Sequence, residues 1–183
     1  MIILEANLEI RVSSRIAAES LLADEPQRWC AISIRGPQES KANLSRAKDS
    51  AIVVFDDVSN KNDMFCPRLA HAQAIIEAAG KFAGNPLLIH CAMGLSRSPA
   101  AALGILYFHA KKQCLPDPVD FSMNWLNQLG DFKPNPLLAK LMIGAIEPTN
   151  PKLFERFRKH PLWKAQPSED LYSRLLPKPK RPQ

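Results

Sequence analysis

The order of apolar and polar residues along the chain predicts that strands alternate with helices. Residues 1–4 and 29–34 have strand-like patterns, and residues 51–55 (AIVVF) and 87–91 (LLIHC) are continuous apolar runs typical of buried strands. Between the first two strands we expect a helix capped by Ser13 or Ser14. Its apolar residues at helical spacing, which we expect to face a sheet, are Ile16, Ala17, Leu21 and Leu22.

Five further helices are predicted from helical spacing and from the positions of proline and glycine. Pro67 and Pro99 each suit the first turn of a helix, where the missing backbone N–H has no intrahelical partner to lose. The turn residues Gly84, Asn85 and Pro86 end the first of these helices. The predicted ranges are 67–82, 98–112, 118–129, 136–146 and 150–159.

This alternation indicates an α/β fold. We expect a central, largely parallel sheet of about four to five strands that is flanked by helices. A chain of 183 residues is long enough for one domain with a substantial core. We assign residues 1–150 to the main domain and residues 151–183 to a basic helix and a proline-rich tail. The last nine residues, LLPKPKRPQ, are expected to be disordered.

Composition and cysteine spacing argue against a membrane-spanning, an exported or a metal-binding protein. The chain is 46% hydrophobic and 23% charged, as in an ordinary soluble globular protein. No apolar stretch approaches eighteen residues and the start lacks a basic signal-peptide region, so we expect a cytoplasmic protein without a membrane span. The four cysteines form no CxxC pair and no metal-ligand spacing, which predicts reduced thiols and neither metal nor cofactor. Cys30 is expected to lie in the core, and Cys114 follows a predicted helix end.

The net charge of +6 belongs to the end of the chain. Residues 152–183 contain nine Lys or Arg and three Asp or Glu, whereas residues 1–151 contain fifteen of each sign. The high isoelectric point is therefore no argument for a nucleic-acid-binding main domain. The basic end either contacts an anionic partner or forms a helix docked on the domain, followed by a solvated tail.

One segment combines a cysteine, a glycine and an arginine between a strand and a helix. In residues 87–99, LLIHCAMGLSRSP, the strand ends at Cys91, the chain turns near Gly94 and a helix begins at Ser98. Ligands bind at the carboxyl ends of strands in open α/β sheets, and a helix N-terminus favours anions. A cysteine in this setting beside an arginine is held as the nucleophilic thiolate. The planar fork of Arg97 matches two oxygens of a tetrahedral oxyanion.

The residues HCAMGLSRS resemble the His-Cys-x5-Arg-Ser/Thr signature of the protein tyrosine phosphatase superfamily, specifically its dual-specificity branch. Cysteine and arginine at this spacing are common by chance, and the added residues His90, Gly94, Ser96 and Ser98 make the pattern specific. The resemblance covers roughly residues 53–112, and residues 133–146 are similar to small stand-alone bacterial members. It implies a metal-independent protein phosphatase that acts on a phosphorylated substrate, in the first place a phosphoprotein.

The resemblance implies a role for each residue of the signature. Cys91 forms a phosphocysteine intermediate, and Arg97 holds the phosphoryl oxygens together with backbone N–H groups. His90 orients the loop and tunes the thiol, or is simply a satisfied buried histidine. The hydroxyl of Ser98 helps the thiolate to leave. The residues implied to bind phosphate are Ala92, Met93, Gly94, Leu95, Ser96 and Arg97.

A phosphatase of this kind also needs a general acid, which the family places on a loop about thirty to thirty-five residues before the cysteine. Asp56 and Asp57 follow the strand at residues 51–55, and Asp57 better matches the family pattern. Asp63 is a third candidate, close to the next helix. Cys66 lies on the same loop, where a reversible disulfide with Cys91 is a further hypothesis.

The substrate and two rival functions stay open. The loop lacks the lysines of inositol-lipid 3-phosphatases, and the recognition loop of the tyrosine-specific branch is not found, which implies a shallow cleft. Met93 and Leu95 either rim this cleft and favour an apolar leaving group or pack beneath the loop. The rivals are a phosphate-recognising binding module without turnover and a sulfur-transfer or arsenate-reducing enzyme with a similar loop.

Overall fold

The computed structural model of the protein describes residues 2–4 and 8–164. Predictions for the proline-rich end of the chain, including disorder of its last nine residues, lie outside the described residues. The described part contains five strands and seven helices. They are β1 (Ile2–Leu4), β2 (Leu8–Ser14), α1 (Arg15–Asp24), β3 (Cys30–Arg35), β4 (Asp49–Val54), α2 (Leu69–Lys81), β5 (Leu87–Cys91), α3 (Arg97–Lys112), α4 (Pro118–Leu129), α5 (Pro136–Ile146), α6 (Leu153–Lys159) and α7 (Pro161–Lys164).

The strands form one sheet in the order β1-β2-β5-β3-β4. β1 pairs with β2 in antiparallel fashion, and the other four strands are parallel to one another. The predicted α/β fold with a largely parallel sheet is therefore confirmed. Because parallel strands end at the same edge, the last residue of β5, Cys91, lies in register with Ser14 at the end of β2.

Alternating residues of the central strands face two separate helical layers. Leu87, Ile89 and Cys91 of β5 belong to the large core that α2, α3 and α5 cover. Leu88, which points the other way, belongs to a smaller core with Leu22 of α1. All residues of β5 are buried, which explains its continuous apolar sequence.

The start of the chain contains a strand that the sequence pattern did not predict. Residues 8–14 form β2, whose burial is partial and irregular, so its polar residues conceal the strand period. The helix after it is capped by Ser14, whose Oγ accepts a hydrogen bond from the Ala17 N–H at 3.3 Å. This settles the cap that the sequence left open between Ser13 and Ser14.

Two predictions of burial are wrong in part. On α1, Leu21 and Leu22 face the sheet together with Ala18, whereas Ile16 is 70% exposed and Ala17 is exposed. The face that meets the sheet recurs at positions 18, 21 and 22, and positions 16 and 17 lie off it. β4 is an edge strand rather than a buried one, and 54% of Ile52 is exposed.

The core continues into the C-terminal helices. Leu153, Phe154 and Phe157 of α6 are buried in the same core as α3 and α5, and the ring of Phe157 contacts Tyr107 edge-on at 5.4 Å. This helix is shorter than predicted, because residues 151–152 form a turn and the helix begins at Leu153. Likewise, α2 begins at Leu69, two residues after Pro67.

His90 is a buried titratable side chain in the central strand β5. It lies between Ser13 of β2 and Ser33 of β3 and is 2% exposed. Neither ring nitrogen has a hydrogen-bond partner among the described residues. Burial lowers the pKa of His90 to about 4, since the charged ring loses its hydration.

We expect this burial to make stability depend on pH. The unfolded histidine has a pKa of about 6.5, so between pH 6.5 and 4 the unfolded chain binds a proton that the folded chain does not. Stability from this residue is fully present above that window, and about 2 kcal/mol of it is lost by about pH 5. Urea unfolding at pH 7.5 and 5 measures this loss. His90→Asn should reduce the difference, His160→Asn should retain it, and equal differences in wild type and His90→Asn would contradict the assignment.

Candidate active site

The carboxyl ends of the parallel strands place the predicted phosphate-binding residues at one edge of the sheet. These residues, which we call the Cys91 loop (residues 91–97), lie between the end of β5 and the start of α3. The helix begins one residue earlier than predicted, so Arg97 is its first residue. The N-terminal amides of a helix have no intrahelical acceptor, and they give this end of α3 a positive potential at the loop.

Gly94 allows the loop to lie directly against the end of β2. Its φ angle is +74°, a conformation that side chains disfavour. A Cβ atom at this position would lie 2.5 Å from backbone atoms of Ser13 and Ser14. The glycine is therefore required both by the turn and by the contact.

Three carbonyl groups of the Cys91 loop accept hydrogen bonds from N–H groups outside it. These bonds join Ala92 to Arg15, Leu95 to Lys133 and Ser96 to Asn135, at 3.2, 2.9 and 3.1 Å. A trans peptide is planar, with its C=O and N–H on opposite sides. The N–H groups of Met93, Ser96 and Arg97 therefore point the opposite way, into the loop. This arrangement can hold an anion.

The sulfur of Cys91 lies within this set of donors. It accepts hydrogen bonds from the Gly94 N–H and from the Ser98 hydroxyl, both at 3.2 Å. Cys91 is 2% exposed and Ser98 is fully buried. Both donors stabilise negative charge on the sulfur, as the proposed nucleophile and leaving group requires.

The guanidinium of Arg97 is buried and only partly paired. Its Nη1 donates to the Phe55 carbonyl at 3.2 Å and its Nη2 to the Glu39 carboxylate at 2.5 Å. Its Nε has no hydrogen-bond acceptor among the described residues, and the nearest carboxylate oxygen, Oδ2 of Asp57, is 3.9 Å away. Burial works to lower the pKa of Arg97, but the hydrogen bond with Glu39 and the negative charges of Cys91, Glu39 and Asp57 together outweigh it, and the pKa is raised. A charged donor is thus held ready for an anionic ligand.

Glu39 is a site residue that sequence reasoning missed. It follows β3, and its second carboxylate oxygen accepts a hydrogen bond from the Gly36 N–H at 2.7 Å. Partial burial works to raise the pKa of Glu39, but hydrogen bonds from Arg97 and Gly36 outweigh it and lower the pKa. Its place just beyond the carboxyl end of a central strand was the available signal, because ligands bind there.

Asp57 reaches the Cys91 loop from the loop between β4 and α2, which we call the β4–α2 loop (residues 55–68). Its Oδ1 accepts hydrogen bonds from the Ser96 hydroxyl and from Nδ2 of Asn135, both at 2.8 Å. Its Oδ2 faces Arg97, and 36% of the side chain is exposed. One oxygen is therefore fixed, and the other is directed at the ligand-binding groups.

The other two aspartates have different surroundings. Oδ1 of Asp56 lies against Gly36, 2.4 Å from the position a Cβ atom would take there, and the backbone N–H of Asp56 bonds to the Phe65 carbonyl. Asp63 accepts a hydrogen bond from the Phe65 N–H within its own loop. Within the described chain, neither carboxylate bonds to Cys91, Ser96 or Arg97.

Asn135 is a second residue that sequence reasoning did not single out. Its side-chain oxygen caps α5 by accepting from the Leu138 N–H, and its Nδ2 donates to Asp57 and to the Val58 carbonyl. Its backbone N–H also holds Ser96. The sequence Asn-Pro at this point signals only a helix start, so its role in joining two loops is not visible in the pattern.

The remaining predicted residues are placed as follows. Cys66 is buried, and its thiol donates to the Lys61 carbonyl at 3.3 Å. All four cysteines are free, so a disulfide between Cys66 and Cys91 stays a prediction. Met93 is 46% exposed and is not packed beneath the loop. Cys30 is buried as expected.

No three or more His, Cys, Asp or Glu side chains among the described residues are grouped so that they could hold a metal ion. None of the described helices has both the length and the apolar character needed to cross a membrane.

Comparison with known proteins gives similarity in structure only. No protein-family model matches the chain, and no curated protein matches its sequence. The Yvh1 phosphatase domain from Chaetomium thermophilum is 15% identical with a TM-score of 0.51, over 75% of this chain and 89% of that one. OH1 from the Orf virus, described as a tyrosine phosphatase with triple substrate specificity, is 15% identical with a TM-score of 0.53, over 75% and 82%. Human DUSP28 is 21% identical with a TM-score of 0.52, over 79% and 92%. This chain therefore has the fold of the tyrosine and dual-specificity phosphatases.

Proposed function

We propose that this protein is a cysteine-dependent phosphomonoester hydrolase of the protein-tyrosine or dual-specificity type. One observation carries the proposal: the Cys91 sulfur lies among inward-pointing N–H groups, beside a buried arginine whose Nε has no acceptor within the described chain. A buried donor without an acceptor costs free energy, and a phosphate dianion supplies the missing acceptor. The fold and the sequence signature agree with this chemistry.

In the first step the Cys91 thiolate attacks phosphorus. The S–P bond forms while the bond to the leaving oxygen breaks, and Asp57 gives that oxygen a proton from Oδ2. Arg97 and the N–H groups of the loop hold the three equatorial oxygens, so the negative charge in the transition state meets fixed donors. The products are a phosphocysteine and an alcohol or phenol.

In the second step water attacks the phosphocysteine. Asp57, now ionised, accepts the proton of the water, the S–P bond breaks and inorganic phosphate leaves. The Ser98 hydroxyl already donates to the sulfur and stabilises the departing thiolate. The sulfur of Cys91 must be neither oxidised nor disulfide-bonded when it attacks, and we place the protein in the reducing cytoplasm, where thiols are kept free.

We expect the protein to hydrolyse an aryl phosphate such as p-nitrophenyl phosphate in the presence of a chelator, because Arg97 and backbone N–H groups supply the positive charge. Arg97→Lys keeps the charge but loses the planar fork, and should lower kcat/KM by about a hundredfold or more. Cys91→Ser should abolish turnover. Steady-state assays at pH 6–7 measure these effects. Turnover that depends on a divalent ion, or a near-normal rate for Arg97→Lys, would refute the mechanism.

We expect Asp57→Asn to lower kcat on the order of a hundredfold or more, since asparagine cannot give a proton. The loss should grow as the leaving alcohol becomes more basic, which a purely positioning residue would not cause. Asp56→Asn is the matched control, with its carboxylate directed at Gly36. Rates of both variants with a series of aryl and alkyl phosphates show which aspartate acts as the general acid. A leaving-group-dependent loss in Asp56→Asn instead would move the general acid by one residue.

A further inference from the structure

A groove of about 570 Å³ lies beside the site, between the β4–α2 loop and helices α5 and α6. Its walls are largely apolar and include Leu137, Leu141 and Phe154, and Leu69 at its edge is 47% exposed. This volume is in the range of sites that bury ligands, and it is ample for one or two bulky side chains. None of the steps proposed above uses it.

The groove and the candidate active site share two walls. The β4–α2 loop directs Asp57 at the Cys91 loop and turns Lys61 and Cys66 toward the groove. The start of α5 also joins the two sites. Asn135, just before it, donates a hydrogen bond to Asp57, whereas Leu137, two residues later, lines the groove. A substrate chain that leaves the phosphate site along the β4–α2 loop or the start of α5 would therefore meet residues that line the groove.

The charges around the groove are predominantly positive. Lys61, Arg68 and Lys140 line it, and none of the three forms a salt bridge with any residue from 2–4 or 8–164. Its acidic residue, Glu147, is neutralised by Lys111 at 2.7 Å. An apolar floor with a basic rim complements an apolar side chain flanked by carboxylates.

We propose that this groove docks part of a phosphoprotein substrate, namely a segment with a bulky apolar residue flanked by acidic residues. The inference rests on the proposed phosphatase function and names its substrate class. We favour a peptide over an acyl chain, because the cations lie on two different elements, Lys61 and Arg68 on the β4–α2 loop and Lys140 on α5. Binding at the groove would raise the local concentration of the phosphorylated residue at Cys91.

The test is a charge-swap experiment with phosphotyrosine peptides. Each peptide carries Glu-Leu-Glu, Lys-Leu-Lys or Ser-Gly-Ser at a spacing of about three to eight residues from the phosphate, or roughly 10–25 Å of extended chain. The variants are Lys140→Glu with Arg68→Glu, both exposed on the rim, and Lys159→Glu, exposed on α6 away from the groove. Thermal unfolding checks that the variants are folded.

For wild type we expect Glu-Leu-Glu to give the highest kcat/KM. In the rim variant, kcat/KM for the Glu-Leu-Glu peptide should fall about threefold to tenfold through a higher KM, and kcat/KM for the Lys-Leu-Lys peptide should rise. Hydrolysis of p-nitrophenyl phosphate, and all rates of Lys159→Glu, should stay within about twofold. Equal effects on all three peptides would overturn the docking proposal while leaving the phosphatase function intact.

Two further measurements separate the remaining outcomes. Phosphatidylinositol phosphate in mixed micelles is assayed with the same variants, and an effect on this lipid without one on the peptides would overturn the peptide assignment. Fluorescence anisotropy with unphosphorylated Glu-Leu-Glu peptide and Cys91→Ser protein detects docking without turnover. If wild type hydrolyses nothing but the anisotropy shows the charge swap, the phosphatase function fails and the groove assignment stands; if neither is seen, both fail.

Discussion

The carbonyl groups of the Cys91 loop that point outward are the feature on which the rest of the site depends. The backbone of a loop can bind an anion only where its N–H groups converge. A loop without outside hydrogen bonds does not, in general, orient its peptide groups in one direction. Here three N–H donors come from two parts of the chain: the first residue of α1, and two residues just before α5. Gly94 adds the close contact with β2 that makes the first of these bonds possible. The start of α1 and the segment before α5 thus fix the orientation of three peptide groups of the loop.

The neighbourhood of this loop is where the protein gives up stability. The buried polar atoms without a partner among the described residues belong to four residues, Ser13, Arg35, His90 and Arg97. All four lie at or near the carboxyl ends of β2, β3 and β5. Elsewhere in the described chain the buried side-chain nitrogen and oxygen atoms are paired, as most are in folded proteins. This clustering of unpaired buried polar atoms indicates that this edge of the sheet serves ligand binding rather than stability. A cavity of about 20 Å³ beside His90 and Glu39 is large enough for one water molecule.

The sequence located Cys91, Arg97 and the helix α3 because they lie within one short stretch of chain, where connectivity alone determines which residues are neighbours. It also favoured Asp57 over Asp56 as the proposed general acid, and in the structure Asp57 bonds to Ser96 of the Cys91 loop, whereas the Asp56 carboxylate lies against Gly36. Glu39 was not found because it is 58 positions from Arg97, and such a contact is created only when β3 and β5 pair. The exposure of Ile52 was missed for a related reason: an apolar run has the same appearance whether its strand lies at the centre or at the edge of a sheet. Local pattern specifies the element, and strand order decides its surroundings.

The two hydrogen bonds to the Cys91 sulfur have opposite effects on the two halves of the proposed reaction. Donors that stabilise a thiolate make it a better leaving group and a weaker nucleophile. Expulsion of the thiolate from phosphocysteine is therefore eased by Gly94 and Ser98, whereas the initial attack must rely on departure of the substrate's own oxygen. For a phenol, which departs readily, the phosphorylated enzyme would accumulate; for an alkyl alcohol the free enzyme would predominate. Under the proposed mechanism, the leaving group of the substrate would therefore decide which form of the protein, free or phosphorylated, predominates during turnover.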